Sequence, residues 1–381
     1  MPTPFDTWLE RDARPLPLDA PAEALRDLPL GAADVVFLGE LNHFVHEKSD
    51  FRALFARACI AQGVDVVGEE LGWSDGVRLA RYFRTRDEVV FDRILLFGFK
   101  GDSRADRDDS PKGIFAASAK TYPFDLMRAE QTRFYRAIEP RAFFGFDTDS
   151  IAQGYRADIA ETQPDYAARL ALLPGETQLD ERARLISTRG DAPDAATGAQ
   201  MNAAIDSLAY LDLLHAAQTY EATRPAMAAR EDAMKRRFAA ARALFGGKPV
   251  LLSHAAHLAK DDRLFADFDG VGPGGALTPS LGHHIVQELG LKAFSIWMIY
   301  GAGEDSQPLP DLPRKAAFAH DSLNRRLAAR FKTPTLIRTD HAPDEMMTIA
   351  HMYNATLRTP LKGQMDALYF LPRVGLMRGE S

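Results

Sequence analysis

Six short apolar runs are the feature that most constrains the fold of this chain, because they alternate with stretches that carry helical periodicity. The runs are rich in Val, Phe and Leu and span residues 34–39, 64–68, 141–146, 249–253, 293–298 and 367–371. Such runs are typical of parallel strands that are buried on both faces of a sheet. Alternating strands and helices predict an α/β fold, built as a layered and mostly parallel β-sheet with flanking helices.

A stretch in the middle of the chain departs from this alternation. Residues 153–246 contain no strand-like run and are dominated by Ala, Leu, Arg and Glu, with apolar residues at helical spacing. We predict a helical insertion there, which either forms a lid or pocket wall or simply packs on one face of the sheet. It divides the α/β core into an N-terminal half, residues 1–152, and a C-terminal half, residues 247–381.

Composition and charge disfavour several kinds of partner. The 381 residues include 46 Lys and Arg against 53 Asp and Glu, mixed along the chain, for a net charge of −7. This balance disfavours nucleic acid and acidic membrane surfaces as partners. No stretch approaches the ~20 apolar residues of a membrane span, and the N-terminus lacks the pattern of a signal peptide. We therefore expect a cytoplasmic protein with a small-molecule substrate, and the oligomeric state stays open.

Four of the six runs lead into a residue that can accept or donate a proton. These residues are Glu40, Glu70, Asp147 and His254. Ligands bind beyond the carboxyl ends of the strands in open α/β sheets, so we expect the four side chains to line one cleft. Glu69 precedes Glu70, but successive side chains of a strand point to opposite faces, and we favour Glu70 as the one that faces the cleft.

The segment after the first run contains the strongest candidate for a general base, His43. We predict that a helix starts there, and the partial positive charge of its end would help to keep the imidazole neutral. Glu40 can orient the ring, Glu70 can hold it in the productive tautomer, and Arg52 lies two turns into the helix. In the alternative interpretation, His43 and Glu47 form a helix cap and Arg52 is a solvated surface residue.

A pair of histidines, His254 and His257, follows the fourth run. Their imidazoles can donate hydrogen bonds to a developing oxyanion or protonate a leaving group, which complements a base at His43. The alternative is that both rings are packed in the core or lie at the surface.

Taken together, these residues resemble the erythromycin esterase-like family along almost the whole chain. The family's Gly-Glu pair, its histidine, its following Glu and Arg, its second Glu and its paired histidines are matched by Gly39, Glu40, His43, Glu47, Arg52, Glu70, His254 and His257. Asn42, Phe44 and Ala255 depart from the usual family residues, which leaves open whether the substrate is a macrolide.

The resemblance implies an α/β core with helical additions, and hydrolysis of an ester or lactone by water that His43 activates. It implies neither a metal nor a covalent intermediate, and we expect no cofactor. Arg52, His254 and His257 are expected to stabilise the oxyanion or protonate the leaving oxygen. Contacts with the substrate are expected from Glu47, Trp73, Asp147 and His284.

Three other interpretations stay open. Residues 72–76 fit the Gly-x-Ser-x-Gly motif of a serine esterase, although Ser74 also suits an N-cap of the next helix. A metal-dependent hydrolase is possible from the histidines, but their spacing is not that of the His-Glu-x-x-His zinc motif, and the single cysteine, Cys59, excludes a Cys-based site. A non-catalytic ligand-binding or haem-binding protein is the third.

Overall fold

The computed structural model describes residues 2–94, 123–149, 155–219, 221–267, 275–276, 279–306, 321–351 and 355–379. The chain forms two compact units. The first unit comprises Met1–Val67, Asp125–Pro140 and Lys248–Ser381, and the second comprises Gly68–Phe124 and Arg141–Gly247. The predicted division into residues 1–152, 153–246 and 247–381 stays a prediction.

All six predicted strands belong to one sheet, which has eight strands among the described residues. Their order in the sheet is β1 (Ala13–Pro15), β9 (Thr335–Arg338), β12 (Ala367–Leu371), β8 (Ala293–Tyr300), β2 (Val35–Glu40), β5 (Pro249–His254), β3 (Val66–Gly72) and β4 (Ala142–Asp147). β2 lies between β8 and β5 and is parallel to both, and β8 is parallel to β12. β9 is antiparallel to β1 and β12. The predicted α/β fold with a mostly parallel sheet is confirmed.

The apolar runs form strands because they are buried along their whole length. Every residue of β2, β3, β5 and β12 is buried, and a strand covered on both faces has no polar side. The register sets Glu40 of β2 opposite His254 of β5. The carboxyl ends of these two strands therefore place two of the predicted site residues side by side.

A second, smaller sheet was not predicted. It is antiparallel and has the order β10 (Met346–Ala350), β11 (Thr356–Pro360), β6 (Phe265–Asp267) and β7 (Gly275–Ala276). Its strands are at most five residues long, and residues in β10 and β11 are only partly buried. Strands of this kind lack the unbroken apolar runs by which the main sheet is recognised.

The helices outside the middle of the chain flank the sheet strands in sequence. They are α1 (Pro4–Asp12), α2 (Glu47–Ala61), α3 (Trp73–Thr85), α4 (Phe124–Arg136), α10 (Leu281–His283), which continues as a π-helical turn over His284–Glu288, and α11 (Leu323–Arg330). The predicted helix after the first strand is α2, and Gly63 follows it with φ +80°. Only glycine takes up that backbone angle without steric cost, which explains the end of the helix there.

The middle of the chain is helical, as predicted. Its described residues form α5 (Tyr155–Ala160), α6 (Pro164–Arg169), α7 (Gln178–Thr188), α8 (Ala195–Ala216) and α9 (Arg224–Phe245). Pro225 lies in the first turn of α9, where its missing N–H costs nothing. These helices share a core that includes Tyr155, Leu185, Met201 and Leu208. None of the described helices is long and apolar enough to cross a membrane.

Candidate active site

The last residue of β2 and a histidine three residues later form a buried pair. The Nδ1 atom of His43 lies 2.7 Å from Oε1 of Glu40, and both side chains are buried. Because an ionised carboxylate only accepts hydrogen bonds, the proton of a neutral His43 ring is on Nδ1. The lone pair of that ring is then on Nε2, the atom that can act as a base.

Two cations keep Glu40 ionised. Burial by itself raises the pKa of a carboxyl group, but the charges of Lys48 and Arg52, together with the hydrogen bond from His43, lower the pKa of Glu40 to about 2. The Nζ atom of Lys48 lies 3.5 Å from Oε1, and Nε of Arg52 lies 3.7 Å from Oε2. Arg52 is only 3% exposed, so the alternative that it is a solvated surface residue is wrong.

Lys48 was not predicted as a site residue, although its spacing of four residues from Arg52 could have indicated it. It lies one helical turn before Arg52 on α2, so both side chains project from the same side of the helix. Its ammonium also donates a hydrogen bond of 2.8 Å to the backbone oxygen of His43. Lys48 therefore contacts both members of the pair formed by Glu40 and His43.

The predicted start of the helix at His43 is wrong. α2 begins at Glu47, so His43 lies in the irregular segment between β2 and α2, outside the first helical turn where the field of the helix end acts. Its ring is held by Glu40 instead. Nor do His43 and Glu47 cap the helix, because the N-cap residue is His46 and it makes no capping hydrogen bond through its side chain. Oε2 of Glu47 instead accepts a hydrogen bond of 2.9 Å from the backbone N–H of Gly375. A contact of Glu47 with the substrate stays a prediction.

His254 lies beside His43 in the first unit. The centroids of the two rings are 5.4 Å apart. The backbone N–H of Ala256 donates to Nδ1 of His254, and since a backbone N–H can only donate, the proton of the neutral His254 ring is on Nε2. The pair thus has complementary tautomers: His43 offers an acceptor, and His254 offers a donor.

Two further histidines surround His254. The ring of His257, which was predicted, is 6.3 Å away, and that of His351, which was not, is 4.5 Å away in an edge-to-face arrangement. His351 is buried and follows β10 of the smaller sheet. Because β10 was not predicted, the sequence contained no signal that would bring His351 to this place.

Two predicted carboxylates, Glu70 and Asp147, lie in the second unit and share one cation. Nη2 of Arg230 lies 2.8 Å from Oε1 of Glu70, and the Arg230 guanidinium forms two hydrogen bonds with Asp147. Burial disfavours the charged guanidinium, but Asp147 and Glu70 raise its pKa well above the ordinary value. We had predicted that Glu70 lies at the end of its strand, but β3 continues to Gly72 and Glu70 lies within it. Its contact with His43 stays a prediction.

The Gly-x-Ser-x-Gly segment has the geometry of a helix start and not of a nucleophile elbow. An elbow holds its serine on a sharp, strained turn, whereas Ser74 is the second residue of α3, and Arg86 is the one non-glycine residue with positive φ in the described part of the chain. The predicted N-cap role of Ser74 is also wrong, because the N-cap residue is Gly72 and the backbone N–H of Ser74 donates a hydrogen bond to Oδ1 of Asp149.

Close packing accounts for both glycines of that segment. A Cβ atom at Gly72 would overlap the carboxylate of Asp149, and one at Gly76 would overlap the backbone of Gly145. The spacing that suggests a serine esterase therefore arises from the approach of α3 to neighbouring backbone and to Asp149 within the second unit.

Trp73 and His284 were both predicted to contact the substrate. Trp73 is the buried first residue of α3. His284 lies in the π-helical turn, with Nδ1 2.7 Å from Oε2 of Glu288. Contacts of both residues with the substrate stay predictions. Within the described ranges, no group of three or more His, Cys, Asp and Glu side chains is arranged to hold a metal ion.

No protein-family model matches this chain, and no curated protein matches its sequence. Solved structures do share its fold. A succinoglycan biosynthesis protein is similar with a TM-score of 0.70 and 16% identity, over 98% of this chain and 97% of the other. A protein from Bacillus cereus has a TM-score of 0.66 and 16% identity, over 98% of both chains.

Erythromycin esterase EreC has also been solved, as a histidine-to-asparagine mutant in its open conformation. It is similar with a TM-score of 0.62 and 18% identity, over 96% of this chain and 98% of the other. At such identities the likeness establishes the fold. The chain has the erythromycin esterase-like fold, as the resemblance of its motifs implied.

Proposed function

We propose that this protein is a hydrolase that cleaves an ester or lactone by activating water with His43. The observation that carries the proposal is the buried contact of 2.7 Å between His43 Nδ1 and Glu40 Oε1. It leaves Nε2 as the basic atom and places a fixed negative charge behind the ring. When Nε2 takes a proton from water, that charge stabilises the imidazolium.

The neighbours of the pair have separate roles. With a pKa of about 2, Glu40 does not compete for the proton, so the proton stays on His43 until the leaving group accepts it. His254 presents Nε2–H as a donor for the oxyanion that develops as water attacks the carbonyl carbon. Lys48 and Arg52 act through Glu40 as positioning residues, because both are buried against its carboxylate.

The substrate is tested with two ester classes. The structural likeness to erythromycin esterase makes a macrolide lactone the first substrate to try, and p-nitrophenyl acetate supplies an activated ester whose hydrolysis needs little substrate recognition. Hydrolysis of either compound supports the reaction type, and the ratio of their kcat/KM values measures the preference for a large ring.

The decisive variant is His43→Ala. Loss of the positioned base is expected to lower kcat by about 10²–10⁴ while the fold is preserved. The matched control is His341→Ala, which removes an exposed imidazole and is expected to leave kcat unchanged. Ser74→Ala is also expected to retain activity. An active His43→Ala enzyme beside an inactive Ser74→Ala enzyme would replace water activation by a serine mechanism.

A further inference from the structure

The loop that carries the proposed base has no helix or strand of its own. β2 ends at Glu40 and α2 begins at Glu47, with His43 between them. A general base must stay within hydrogen-bond reach of the proton that it removes, so other groups have to hold this loop in place. Glu40 orients the ring of His43, and Lys48 binds its backbone oxygen. Neither contact holds the two residues that flank His43.

Asn42, the residue before His43, connects this loop to the main sheet. Its Nδ2 atom donates hydrogen bonds of 2.9 Å to the hydroxyl of Tyr300 and 2.7 Å to Oδ2 of Asp305. Its Oδ1 atom accepts a hydrogen bond of 2.8 Å from the backbone N–H of Phe44. Tyr300 is the last residue of β8, which pairs with β2. The amide therefore ties both neighbours of His43 to the strand beside the one that leads into the loop.

The segment after β8 holds the loop from a second point. The backbone N–H of Ser306 donates a hydrogen bond of 2.8 Å to the backbone oxygen of Phe44. This segment is itself fixed to the neighbouring strand β12, because the backbone N–H of Gly301 donates a hydrogen bond of 2.8 Å to the oxygen of Leu371. The loop is thus attached to backbone that belongs to the sheet.

The bonding pattern of Asn42 can be made only by an amide. The backbone N–H of Phe44 can only donate, so the atom that faces it is the amide oxygen, and the amino group faces Tyr300 and Asp305. Among side chains of this length, the amide alone supplies two donors and an acceptor. Alanine supplies none of these groups, and an ionised aspartate supplies no donor.

We propose that Asn42 is a positioning residue, whose amide holds the backbone of His43 so that Nε2 keeps one place relative to the attacking water. The proposal rests on the function proposed for His43. Asn42 has no exposed surface, so it contacts no substrate and acts through its neighbour. It departs from the usual family residue, and its bonds to Tyr300 and Phe44 give that departure a structural role that is separate from the choice of substrate.

Asn42→Ala tests the proposal with p-nitrophenyl acetate as the substrate. The variant loses all three hydrogen bonds of the amide, and kcat is expected to fall by about tenfold to a hundredfold, because a displacement of about 1 Å in a reacting group costs about 10² in rate. KM is expected to change by less than about twofold, since Asn42 contacts no substrate.

The matched control is Gln364→Ala, which removes another fully buried amide of the first unit. Gln364 is bonded to the backbone of Lys260 and Asp261, and the proposed reaction assigns no role to these residues. The control variant is expected to have a lower melting temperature, as Asn42→Ala is, but to keep the kcat of the wild type.

A double variant separates positioning from general damage to the fold. Tyr300→Phe removes one acceptor of the amide and is expected to lower kcat less than Asn42→Ala does. In the double variant Asn42→Ala/Tyr300→Phe that bond is already absent, so kcat is expected to match that of Asn42→Ala within about twofold. Losses that multiply would show that the two residues act independently and would overturn the proposed link.

A proton–nitrogen correlation spectrum of protein labelled at histidine tests the same link without any turnover. The Nδ1–H signal of His43, identified by its loss in His43→Ala, is expected in the wild type and in Gln364→Ala, because the buried bond to Glu40 protects this proton from exchange. In Asn42→Ala the loop is held less firmly, so the signal is expected to broaden or disappear.

Two further results would overturn the proposal. One is a wild-type kcat for Asn42→Ala beside an inactive His43→Ala enzyme, and the other is a His43 signal that Asn42→Ala leaves unchanged. An active His43→Ala enzyme would instead refute the function proposed for His43, and the spectrum would still decide whether Asn42 holds the ring. The failures of the two proposals are therefore distinguishable.

Discussion

Two buried carboxyl groups, one in each unit, have pKa values that are shifted in opposite directions. Glu40 in the first unit has a pKa lowered to about 2, whereas burial raises the pKa of Asp149 in the second unit to about 7. Both groups have lost their water, and that loss favours the neutral acid in both. The partners make the difference, because two cations and a histidine face Glu40.

Asp149 has a weaker set of partners. The charge of Arg237 lowers its pKa, but the nearby charge of Asp75 raises it, and its hydrogen-bond donor is the backbone N–H of Ser74 at 3.1 Å. Burial of a carboxylate is therefore not itself a mark of an active site. What distinguishes Glu40 is that its negative charge is maintained beside a histidine, which is the arrangement that a general base requires.

The largest effect that sharpens this comparison is expected from amide substitution of the two carboxyl groups. Glu40→Gln removes the charge behind His43 and allows the ring to take the wrong tautomer, so kcat is expected to fall by about 10²–10⁴. Asp149→Asn serves as the control and is expected to change kcat by less than about twofold, because the proposed mechanism assigns no step to this carboxyl group. Equal kcat losses in both variants would mean that the two carboxyl groups do not differ in the way proposed here.

The second effect concerns stability. Asp149 has a folded pKa of about 7, above its ordinary value of 3.8, so between about pH 4 and pH 7 the native state binds more protons than the unfolded state. The free energy of unfolding is then expected to fall as pH rises through this window, by a few kcal/mol at about 1.4 kcal/mol per pKa unit. Urea denaturation at several pH values measures it.

Asp149→Asn tests the origin of that pH dependence. An asparagine keeps an oxygen that can accept the N–H of Ser74 but does not ionise, so the slope between pH 4 and pH 7 is expected to disappear. The control is Asp165→Asn, which changes an exposed carboxyl group in α6 and is expected to preserve the slope. A slope that persists in Asp149→Asn would show that another group releases the proton.

Six of the eight described strands of the main sheet could be predicted, because burial on both faces leaves a direct record in the sequence. The run at residues 34–39 became β2 with a shift of one residue, and Glu40 and His43 followed from its end. β9 and the strands of the smaller sheet are short and include polar or partly buried residues, so periodicity does not reveal them. Contacts that depend on those strands, such as that of His351 with His254, could therefore not be predicted from the sequence.

Glycine spacing was the misleading signal. Gly72 and Gly76 fit a nucleophile motif, yet each is required because neighbouring atoms leave no room for a Cβ. A short motif records only that small residues are needed, and two different physical causes produce the same letters. Lys48 illustrates the reverse case, in which an ordinary-looking lysine is buried against a carboxylate that the sequence had already identified.

The smallest effect is expected from Lys48→Met, which weakens the difference between the two carboxyl groups without removing either. Glu40 has a lowered pKa, so its ionisation stabilises the fold above its ordinary pKa of 4.5, and this contribution is lost as pH falls toward 2. Without Lys48, Arg52 and His43 still face the carboxylate, but its pKa is expected to rise. The variant should then begin to lose stability at a higher pH than the wild type. Its free energy of unfolding at neutral pH is expected to be lower by roughly 1.5–3 kcal/mol, the contribution of a hydrogen bond to a charged group.

Lys332→Met, at an exposed position after α11, is the matched control and is expected to follow the wild-type acid denaturation curve. Coincident curves for Lys48→Met and the wild type would show that Arg52 and His43 suffice to keep Glu40 ionised.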